Sequence, residues 1–274
     1  MKTIRQIIEQ KTNKQRITML TAYDFPTAAF LEEAGIDIIL VGDSLANVVL
    51  GLESTTAVGM KEMLHHTRAV IRATKNTMVV GDMPFDSYQL NSRGAVDNAR
   101  QFIEEGCQAV KLEWFENCPQ VATAIVKAGI SVMGHVGLTP QTAHLHGGMK
   151  VQGKDAASAQ VIIDNALALE ASGCFAVVLE CIPQELAQII TGKLKVPTIG
   201  IGAGPYCDGQ VLVIHDLLGI SKGHQPKFSK KYADLGPQIL QAVKQYKEEV
   251  TKGQFPDATH SYHLPQDEIK KLSS

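Results

Sequence analysis

The chain has 274 residues, of which 45% are hydrophobic and 20% are charged, and its formal net charge is -2. This composition is typical of a soluble globular protein without a polyelectrolyte surface, so it argues against nucleic acid and anionic membranes as partners. The length slightly exceeds the roughly 250 residues of a single (β/α)8 barrel, which favours one domain over residues 1–274.

Strand and helix patterns alternate along the chain after a short amphipathic helix at about residues 3–11. The predicted strands are residues 17–24, 36–43, 78–83, 109–113, 130–135, 176–181, 197–204 and 211–218. The predicted helices are residues 25–35, 60–75, 92–106, 119–128, 156–172, a helix after Pro183 and a closing helix at about 233–252. A seventh helix is nearly absent, and the tail at about 254–274 is predicted to be irregular.

These strands are continuous apolar runs rather than alternating ones, as burial on both faces of a parallel sheet requires. Together with the intervening helices they predict an α/β fold, a single (β/α)8 TIM barrel with an extra N-terminal helix. A loop of about twenty residues, 136–155, follows the fifth strand. Long loops are usually functional or disordered, and the position of this one at the catalytic mouth favours function.

The five cysteines are odd in number and contain no Cys-x-x-Cys pair, which favours reduced and mostly buried thiols. The N-terminus is charged throughout and lacks the apolar core of a secretory signal. No run approaches the ~18 apolar residues of a membrane span. A cytoplasmic protein is the expectation from these three features.

Six apolar runs end on a residue that can bind a cation or move a proton: Asp24, Asp43, Asp82, Glu113, His135 and Glu180. In a parallel barrel these strand ends point to one mouth, where such barrels carry their catalytic residues. The repetition of carboxylates at this place therefore predicts an active site.

Side chains alternate along a strand, so Lys111 and Glu113 are predicted to share one face and to enter the barrel mouth. The same parity pairs Val41 with Asp43, Val80 with Asp82, Met133 with His135, and Val178 with Glu180. Four carboxylates and one lysine cannot all be paired with each other, and an unpaired buried charge is costly unless it coordinates a metal.

Asp43, Asp82 and Glu113 are hard oxygen ligands from separate strands, which suits Mg²⁺. Zinc would normally require histidine or cysteine ligands. The alternative is that one of these acids forms a structural pair with Lys111 while another is solvated.

Glu180 ends a very apolar strand, which disfavours its ionised form and favours a role as general base; the alternative is a salt bridge to a lysine. His135 could polarise a carbonyl or bind a carboxylate, or it could be a satisfied structural histidine. Ser44 has no adjacent histidine base and is predicted to donate a hydrogen bond to a substrate oxygen. His144 and His146 could flank a metal, although loop residues are the simpler interpretation.

Twelve sequence motifs, in order and spacing, resemble the ketopantoate hydroxymethyltransferase family: TAYD, LVGDS, GDMPF, VKLE, GHVGLTPQ, GGMKVQG, VLECIP, IGIGAG, DGQVLV, HDLLG, PKF and HSYH. The similarity extends from about residue 3 to residue 263. It implies the addition of a one-carbon unit from methylenetetrahydrofolate to 3-methyl-2-oxobutanoate through a Mg-stabilised enolate, the committed step of pantothenate and coenzyme A biosynthesis.

The resemblance also implies roles for individual residues. Asp43, Asp82 and Glu113 would surround Mg²⁺, partly through water, and Glu180 would accept the proton. The keto acid would be held by Asp43, Ser44, Asp82, Lys111 and His135. A homodecamer of five dimers is the implied assembly. One departure from the family pattern is that Trp114 and Phe115 stand where glycines often follow the glutamate. This departure affects the expected shape of the pocket rim, not the metal ligand Glu113.

Two rival readings remain open. The phosphoenolpyruvate mutase and isocitrate lyase group also stabilises a pyruvate-like enolate on Mg²⁺, but its cysteine-bearing lid motif is not found in this sequence. The other alternative is a barrel that has lost catalysis and serves as a binding or assembly module. The complete set of acids, together with Lys111, argues against that alternative.

Overall fold

Eight parallel strands form a closed barrel in chain order, with β8 paired to β1. The computed structural model describes residues 1–89, 91–146, 148, 150–221 and 225–272, without the side chains of 144–146. The strands are β1 Ile17–Thr21, β2 Ile38–Val41, β3 Met78–Asp82, β4 Ala109–Lys111, β5 Ser131–Gly137, β6 Ala176–Glu180, β7 Thr198–Ile201 and β8 Gly209–Leu212. The predicted TIM barrel is therefore confirmed.

Helices surround the strands, as the alternating pattern predicted. They are α1 Ile4–Thr12, α2 Phe25–Glu33, α3 Leu45–Val48, α4 Met60–Ala73, α5 Ser92–Glu104, α6 Cys118–Lys127, α7 Ala156–Ala171, α8 Gln184–Lys193, α9 Ile214–Leu218, α10 Leu235–Thr251 and α11 Gln266–Leu272. Short 3-10 segments lie at Thr55–Ala57, Phe85–Ser87, Pro140–His146 and Ala258–His260. No helix in the described ranges is long and apolar enough to cross a membrane.

Apolar side chains fill two layers, one inside the barrel and one between the strands and the helices. Met19, Val80 and Met133 belong to the inner layer, whereas Val79 and Val110 belong to the outer one. The N-terminal helix α1, whose Thr3 and Gln6 form a capping box, adds the fully buried Ile7 to the inner layer.

Two glycines allow helices to approach the strands that carry site residues. A Cβ atom on Gly81 would lie 2.3 Å from the ring of Phe102 in α5, and one on Gly134 would lie 2.7 Å from Leu169 in α7. Close packing of these helices fixes the backbone immediately before Asp82 and His135.

Several strand boundaries differ from the sequence-based expectation, most of all in the eighth strand. The eighth strand was expected at 211–218, but β8 is Gly209–Leu212 and residues from Ile214 form α9. The helix begins there because the Ile214 N–H donates to the Thr21 hydroxyl at 3.0 Å, and it ends at Gly219 in the left-handed conformation. The nearly absent seventh helix is confirmed, since residues 202–208 contain only turns and bends.

The tail at 254–274 was expected to be irregular, yet it contains α11. This helix follows Pro265 and has Asp267 and Glu268 in its first turn and two lysines in its last. Acidic residues at the start and basic residues at the end of a helix stabilise it through the helix dipole.

Among the described residues, no helix covers one side of the barrel. Thr18 of β1 and Gln210 of β8 point outward and are exposed, and they line a groove of about 880 Å³ together with Leu20, Ile36 and Leu217. The long helix α10 stands away from the barrel and buries none of its residues. Its exposed apolar side chains lie on one helical stripe: Ile239, Leu240, Val243, Tyr246 and Val250.

Candidate active site

A cavity of about 670 Å³ opens at the C-terminal ends of the strands. Every residue predicted for the site lines it: Asp43, Ser44, Asp82, Lys111, Glu113, His135 and Glu180. Asp24, the remaining strand-end acid, instead caps α2 and accepts a hydrogen bond from the Thr27 N–H at 2.8 Å. The structure therefore brings these seven residues together at one cavity, and Asp24 is not among its lining residues.

Asp82 and Lys111 end the neighbouring strands β3 and β4 and lie opposite each other in register. The Lys111 ammonium donates to both oxygens of Asp82, at 2.8 and 2.9 Å. Glu113 follows two residues later, with its Oε1 at 3.8 Å from the same nitrogen. Strand parity thus places Lys111 and Glu113 together, as predicted.

The parity argument was wrong for Asp43. Val41 packs in the outer layer, while Asp43 faces the cavity. The reason is that β2 ends at Val41, and Gly42 begins a turn that leads into α3, so alternation does not extend to Asp43. The Asp43 N–H donates to Asp82 Oδ2 at 3.3 Å in this turn.

The acids in the cavity outnumber the one lysine. Burial raises the pKa of Asp82 to about 7, and the negative charge of Asp43 adds to this effect against the opposing charge of Lys111. Burial likewise raises the pKa of Glu113 well above its usual value. Burial opposes the charge on Lys111, but Asp82, Glu113 and Asp43 outweigh it and raise the Lys111 pKa. The cavity can therefore accept an additional cation.

His135 lies between two carboxylates and is 1% exposed. Its Nε2 is 3.3 Å from Glu180 Oε2, and its Nδ1 is 3.6 Å from Glu113 Oε1. Neither nitrogen has a well-oriented hydrogen-bond partner within the described part of the chain. Burial outweighs the opposing effect of the neighbouring Glu180 and lowers the pKa of His135, which favours the neutral ring. A neutral imidazole with free hydrogen-bonding capacity suits a bound ligand.

Ser44 has a buried partner that sequence reasoning missed. The Tyr23 and Ser44 hydroxyl oxygens are 2.8 Å apart. Burial raises the pKa of Tyr23, so the phenol stays protonated and can donate to Ser44. The Ser44 hydroxyl hydrogen then remains available to a substrate oxygen, as predicted. Only the TAYD motif pointed toward Tyr23.

The loop after β5 also contributes a residue that was missed. The side chain of Gln141 reaches Asp43, and its backbone N–H reaches Glu113. Among the sequence features, only the GHVGLTPQ motif, which ends on Gln141, pointed toward this glutamine. The predicted candidates His144 and His146 have side chains outside the described part of the chain.

Trp114 and Phe115, which depart from the family pattern, are half-buried against the outer hydrophobic layer rather than among the cavity-lining residues. The Phe115 ring meets the Tyr88 ring edge-on, with centroids 5.5 Å apart. Their bulk therefore supports the wall behind Glu113.

The fit of the cavity to a metal rests on charge. No group of three or more His, Cys, Asp or Glu side chains among the described residues could hold an ion alone. Mg²⁺ does not need such a cage, because it commonly uses one or two carboxylates and keeps water or substrate oxygens elsewhere. Buried carboxylates in excess of Lys111 thus fit Mg²⁺, whereas the donor set does not favour zinc.

Comparisons with known proteins agree on one family. Residues 1–258 match the family model described as ketopantoate hydroxymethyltransferase. The 3-methyl-2-oxobutanoate hydroxymethyltransferase of Syntrophomonas wolfei is 52% identical over 271 residues, covering 98% of each chain. The protein of the same name from Thermoanaerobacter sp. is 54% identical over 261 residues, covering 95% of each chain.

Similar solved structures support the fold only. A phosphonopyruvate hydrolase superposes with a TM-score of 0.63 at 14% identity, covering 100% of this chain and 95% of its own. A 2,3-dimethylmalate lyase of the phosphoenolpyruvate mutase and isocitrate lyase superfamily gives a TM-score of 0.61 at 13% identity, covering 100% of this chain and 95% of its own. The rival group named from the sequence thus shares the barrel, while the family match distinguishes this chain from it.

Proposed function

The chain belongs to the ketopantoate hydroxymethyltransferase family, and on that premise we propose that it transfers a one-carbon unit from methylenetetrahydrofolate to 3-methyl-2-oxobutanoate. The product would be ketopantoate, and the reaction the committed step of pantothenate and coenzyme A biosynthesis. The observation that supports this most strongly is the convergence of the predicted acids, Lys111 and His135 on one cavity.

We propose that Asp43, Asp82 and Glu113 hold Mg²⁺, directly or through water. Bound there, Mg²⁺ would supply positive charge that polarises the carbonyl of the keto acid and lowers the barrier to enolisation by several kcal/mol. The support for this site is the excess of buried negative charge over Lys111, which an added cation would balance.

The keto acid would be oriented by the groups around this charge. Lys111 carries its positive charge within the cavity, and the Ser44 hydroxyl and His135 imidazole have hydrogen-bonding capacity for substrate oxygens. Asp43 and Asp82 would complete the binding site. Because these groups come from different strands, the substrate would be held in one orientation relative to Glu180.

Glu180 would remove the proton from the branched carbon of the keto acid. Its side chain lies at the end of β6, is 14% exposed and approaches His135 Nε2 at 3.3 Å. A positioned base of this kind contributes about 10²- to 10⁴-fold to the rate. The resulting enolate carbon would form a C–C bond to the methylene carbon of the ring-opened folate iminium, and the C=N electron pair would move to nitrogen. Water would then supply the hydroxyl group as the remaining C–N bond breaks, and tetrahydrofolate would leave with the proton.

The test is product formation followed by NMR, with Mg²⁺ and again with excess chelator. Metal-dependent ketopantoate would establish both the transfer and the ion. Exchange of the keto-acid proton with solvent, without product, would retain the enolising half and refute the folate assignment. If neither is seen, the noncatalytic barrel is favoured.

We further propose a homo-oligomer, with the homodecamer of the family as the expected form. The apolar stripe of α10 and the uncovered groove on β1 and β8 support it, because an exposed stripe and an open apolar groove are both normally covered. The α10 of a second copy is our proposed occupant of this groove.

We also propose a cytoplasmic location, which agrees with five thiols that form no disulfide.

Sedimentation of Val243→Lys tests the role of the α10 stripe. The variant should dissociate to smaller species, whereas Gln241→Lys, on the opposite face of the same helix, should sediment as the wild type does. An unchanged assembly in Val243→Lys would remove α10 from the interface. If the wild type is a monomer in which α10 covers the groove of its own chain, the groove is filled within one chain and the proposed interface is wrong.

A further inference from the structure

Gln141 is a neutral side chain placed among the acids of the cavity. It belongs to the 3-10 segment Pro140–His146 after β5, and it is 0% exposed. An amide offers two donor hydrogens and one acceptor oxygen, and burial without partners would be costly. Its partners therefore show what this position is built to hold.

The amide nitrogen donates to Asp43 Oδ2 at 2.8 Å and to the Met83 carbonyl at 3.2 Å. The backbone N–H of the same residue donates to Glu113 Oε2 at 3.0 Å. One loop residue thus donates to two separate carboxylates, on turns that follow different strands. Each bond has ordinary hydrogen-bond length, so one oxygen of each acid is held by Gln141.

Tyr88 fixes which way the amide points. Its hydroxyl donates to Gln141 Oε1 and accepts from the Glu113 N–H at 3.3 Å. With the oxygen engaged by Tyr88, the amide nitrogen must face Asp43 and Met83. Burial raises the pKa of Tyr88 well above its usual value, so its hydroxyl keeps the hydrogen that it donates.

We propose that Gln141 is a positioning residue, which holds one oxygen of Asp43 and one of Glu113 and leaves the other oxygen of each for the cation and the keto acid. The second oxygen of Glu113 does face cavity groups, since Oε1 lies 3.6 Å from His135 Nδ1 and 3.8 Å from Lys111 Nζ.

The neutrality of Gln141 is central to the proposal. A second lysine at this position would orient the acids equally well, but it would neutralise the charge that attracts a divalent cation. An amide orients them and leaves their charge in place. The inference rests on the proposed function, because it assigns Asp43 and Glu113 to the metal and the substrate.

Gln141→Met tests the proposal, because methionine keeps the size of the side chain and removes its donors and acceptor. We expect Mn²⁺, followed by EPR without substrates, to bind about tenfold more weakly, within the range measured for partners that orient metal ligands. Gln152→Met is the matched control: the same change at a partly exposed amide of the same loop, which among the described residues bonds only the Lys150 carbonyl through its side chain, should leave Mn²⁺ affinity unchanged.

Tyr88→Phe is a milder variant for the case that Gln141→Met fails to fold. It removes the hydroxyl that orients the Gln141 amide. Mn²⁺ affinity should therefore also fall, by a smaller factor than in Gln141→Met. Thermal unfolding of the metal-free proteins verifies that the fold is retained. Both variants should also raise the KM for the keto acid and lower kcat.

Wild-type Mn²⁺ affinity in a folded Gln141→Met protein would overturn the positioning role and leave the metal site intact. If Gln141→Met does not fold, wild-type affinity in Tyr88→Phe would overturn it. A wild-type protein without saturable Mn²⁺ binding would instead refute the metal site itself, and the inference with it. The two failures are therefore distinguishable.

Discussion

The acidic side chains at the two ends of the barrel differ in how they are paired. At the bottom, Asp37 accepts from the N–H and the hydroxyl of Thr18, at 2.7 and 2.9 Å, and pairs with Lys2. Asp208 repeats this arrangement with the N–H and hydroxyl of Thr198, at 2.8 and 3.1 Å, and with Lys11 at 2.8 Å. Asp37 and Asp208 thus each have their own base and their own threonine.

At the mouth, several acids share Lys111. Although burial disfavours the charge on Asp37, Lys2 and Thr18 lower its pKa, whereas burial and Asp43 raise the pKa of Asp82 to about 7. The bottom pairs thus stabilise the folded chain, while the mouth holds more acids than Lys111 can pair, and the proposed Mg²⁺ would balance them. This difference agrees with the division of such barrels into a stabilising face and a catalytic face.

Glu180→Gln should have the largest effect and is the sharpest test of the catalytic face. Turnover and deuterium exchange at the branched carbon should fall by about 10²- to 10⁴-fold, because an amide cannot accept the proton. Keto-acid binding and thermal stability should stay close to wild type. NMR of the keto acid in D₂O measures the exchange directly.

The matched control is Glu185→Gln, an exposed glutamate at the start of α8, which should exchange at the wild-type rate. Retained exchange in Glu180→Gln would remove Glu180 as the base. If Glu180→Gln instead loses much thermal stability and keeps its exchange rate, Glu180 has a structural role. The contrast between the mouth and the bottom of the barrel would then be wrong.

Asp82→Asn should weaken Mg²⁺ binding about tenfold or more and lower turnover with it. Its effect on the stability of the metal-free protein should be smaller than that of an equivalent change at the bottom. The reason is that Glu113 and Asp43 would remain near Lys111, so the buried lysine would keep negative partners while one of the crowded charges is removed. Calorimetric titration with Mg²⁺ and thermal unfolding measure the two effects.

Asp86→Asn, an exposed aspartate four residues along the chain, is the control and should bind Mg²⁺ as the wild type does. Unchanged Mg²⁺ affinity in Asp82→Asn would contradict its assignment as a metal ligand.

The catalytic face could be predicted well wherever regular strands carry it. Asp82, Lys111, His135 and Glu180 lie within strands, so period-two alternation and the common direction of the strands place them at one mouth. Asp43 was correctly placed at the mouth, but for an incorrect reason, because β2 ends before it.

The residues missed lie where local patterns carry no information. Gln141 contacts Asp43 across 98 positions of the chain, and this contact depends on how the loop crosses the mouth. Tyr23 becomes a partner of Ser44 only when β1 and β2 pair. Sequence periodicity reports the face of a residue within its own element, whereas these contacts depend on tertiary packing.

Asp37→Asn should produce the opposite result to Asp82→Asn. The loss of charge-assisted hydrogen bonds should lower the free energy of unfolding by about 2 kcal/mol, or Tm by roughly 5 °C, with kcat and KM unchanged. Thermal unfolding at fixed protein concentration and steady-state kinetics measure the two effects, with Asp86→Asn again as the control. A fall in kcat without a fall in Tm would show that the bottom pair acts on the site.

The pH dependence of stability gives the smallest and most specific effect. The pKa of Asp37 is lower in the folded protein than the ~3.9 of an unfolded aspartate, so the folded chain binds its proton less tightly. Its contribution is therefore fully present above about pH 4 and is lost as the pH falls through the folded pKa. The Tm difference between wild type and Asp37→Asn should be constant from pH 7 to 5 and should shrink in more acidic solution. A difference that persists unchanged at the lowest pH would mean that packing, rather than the charge of Asp37, holds β1 and β2 at this end of the barrel.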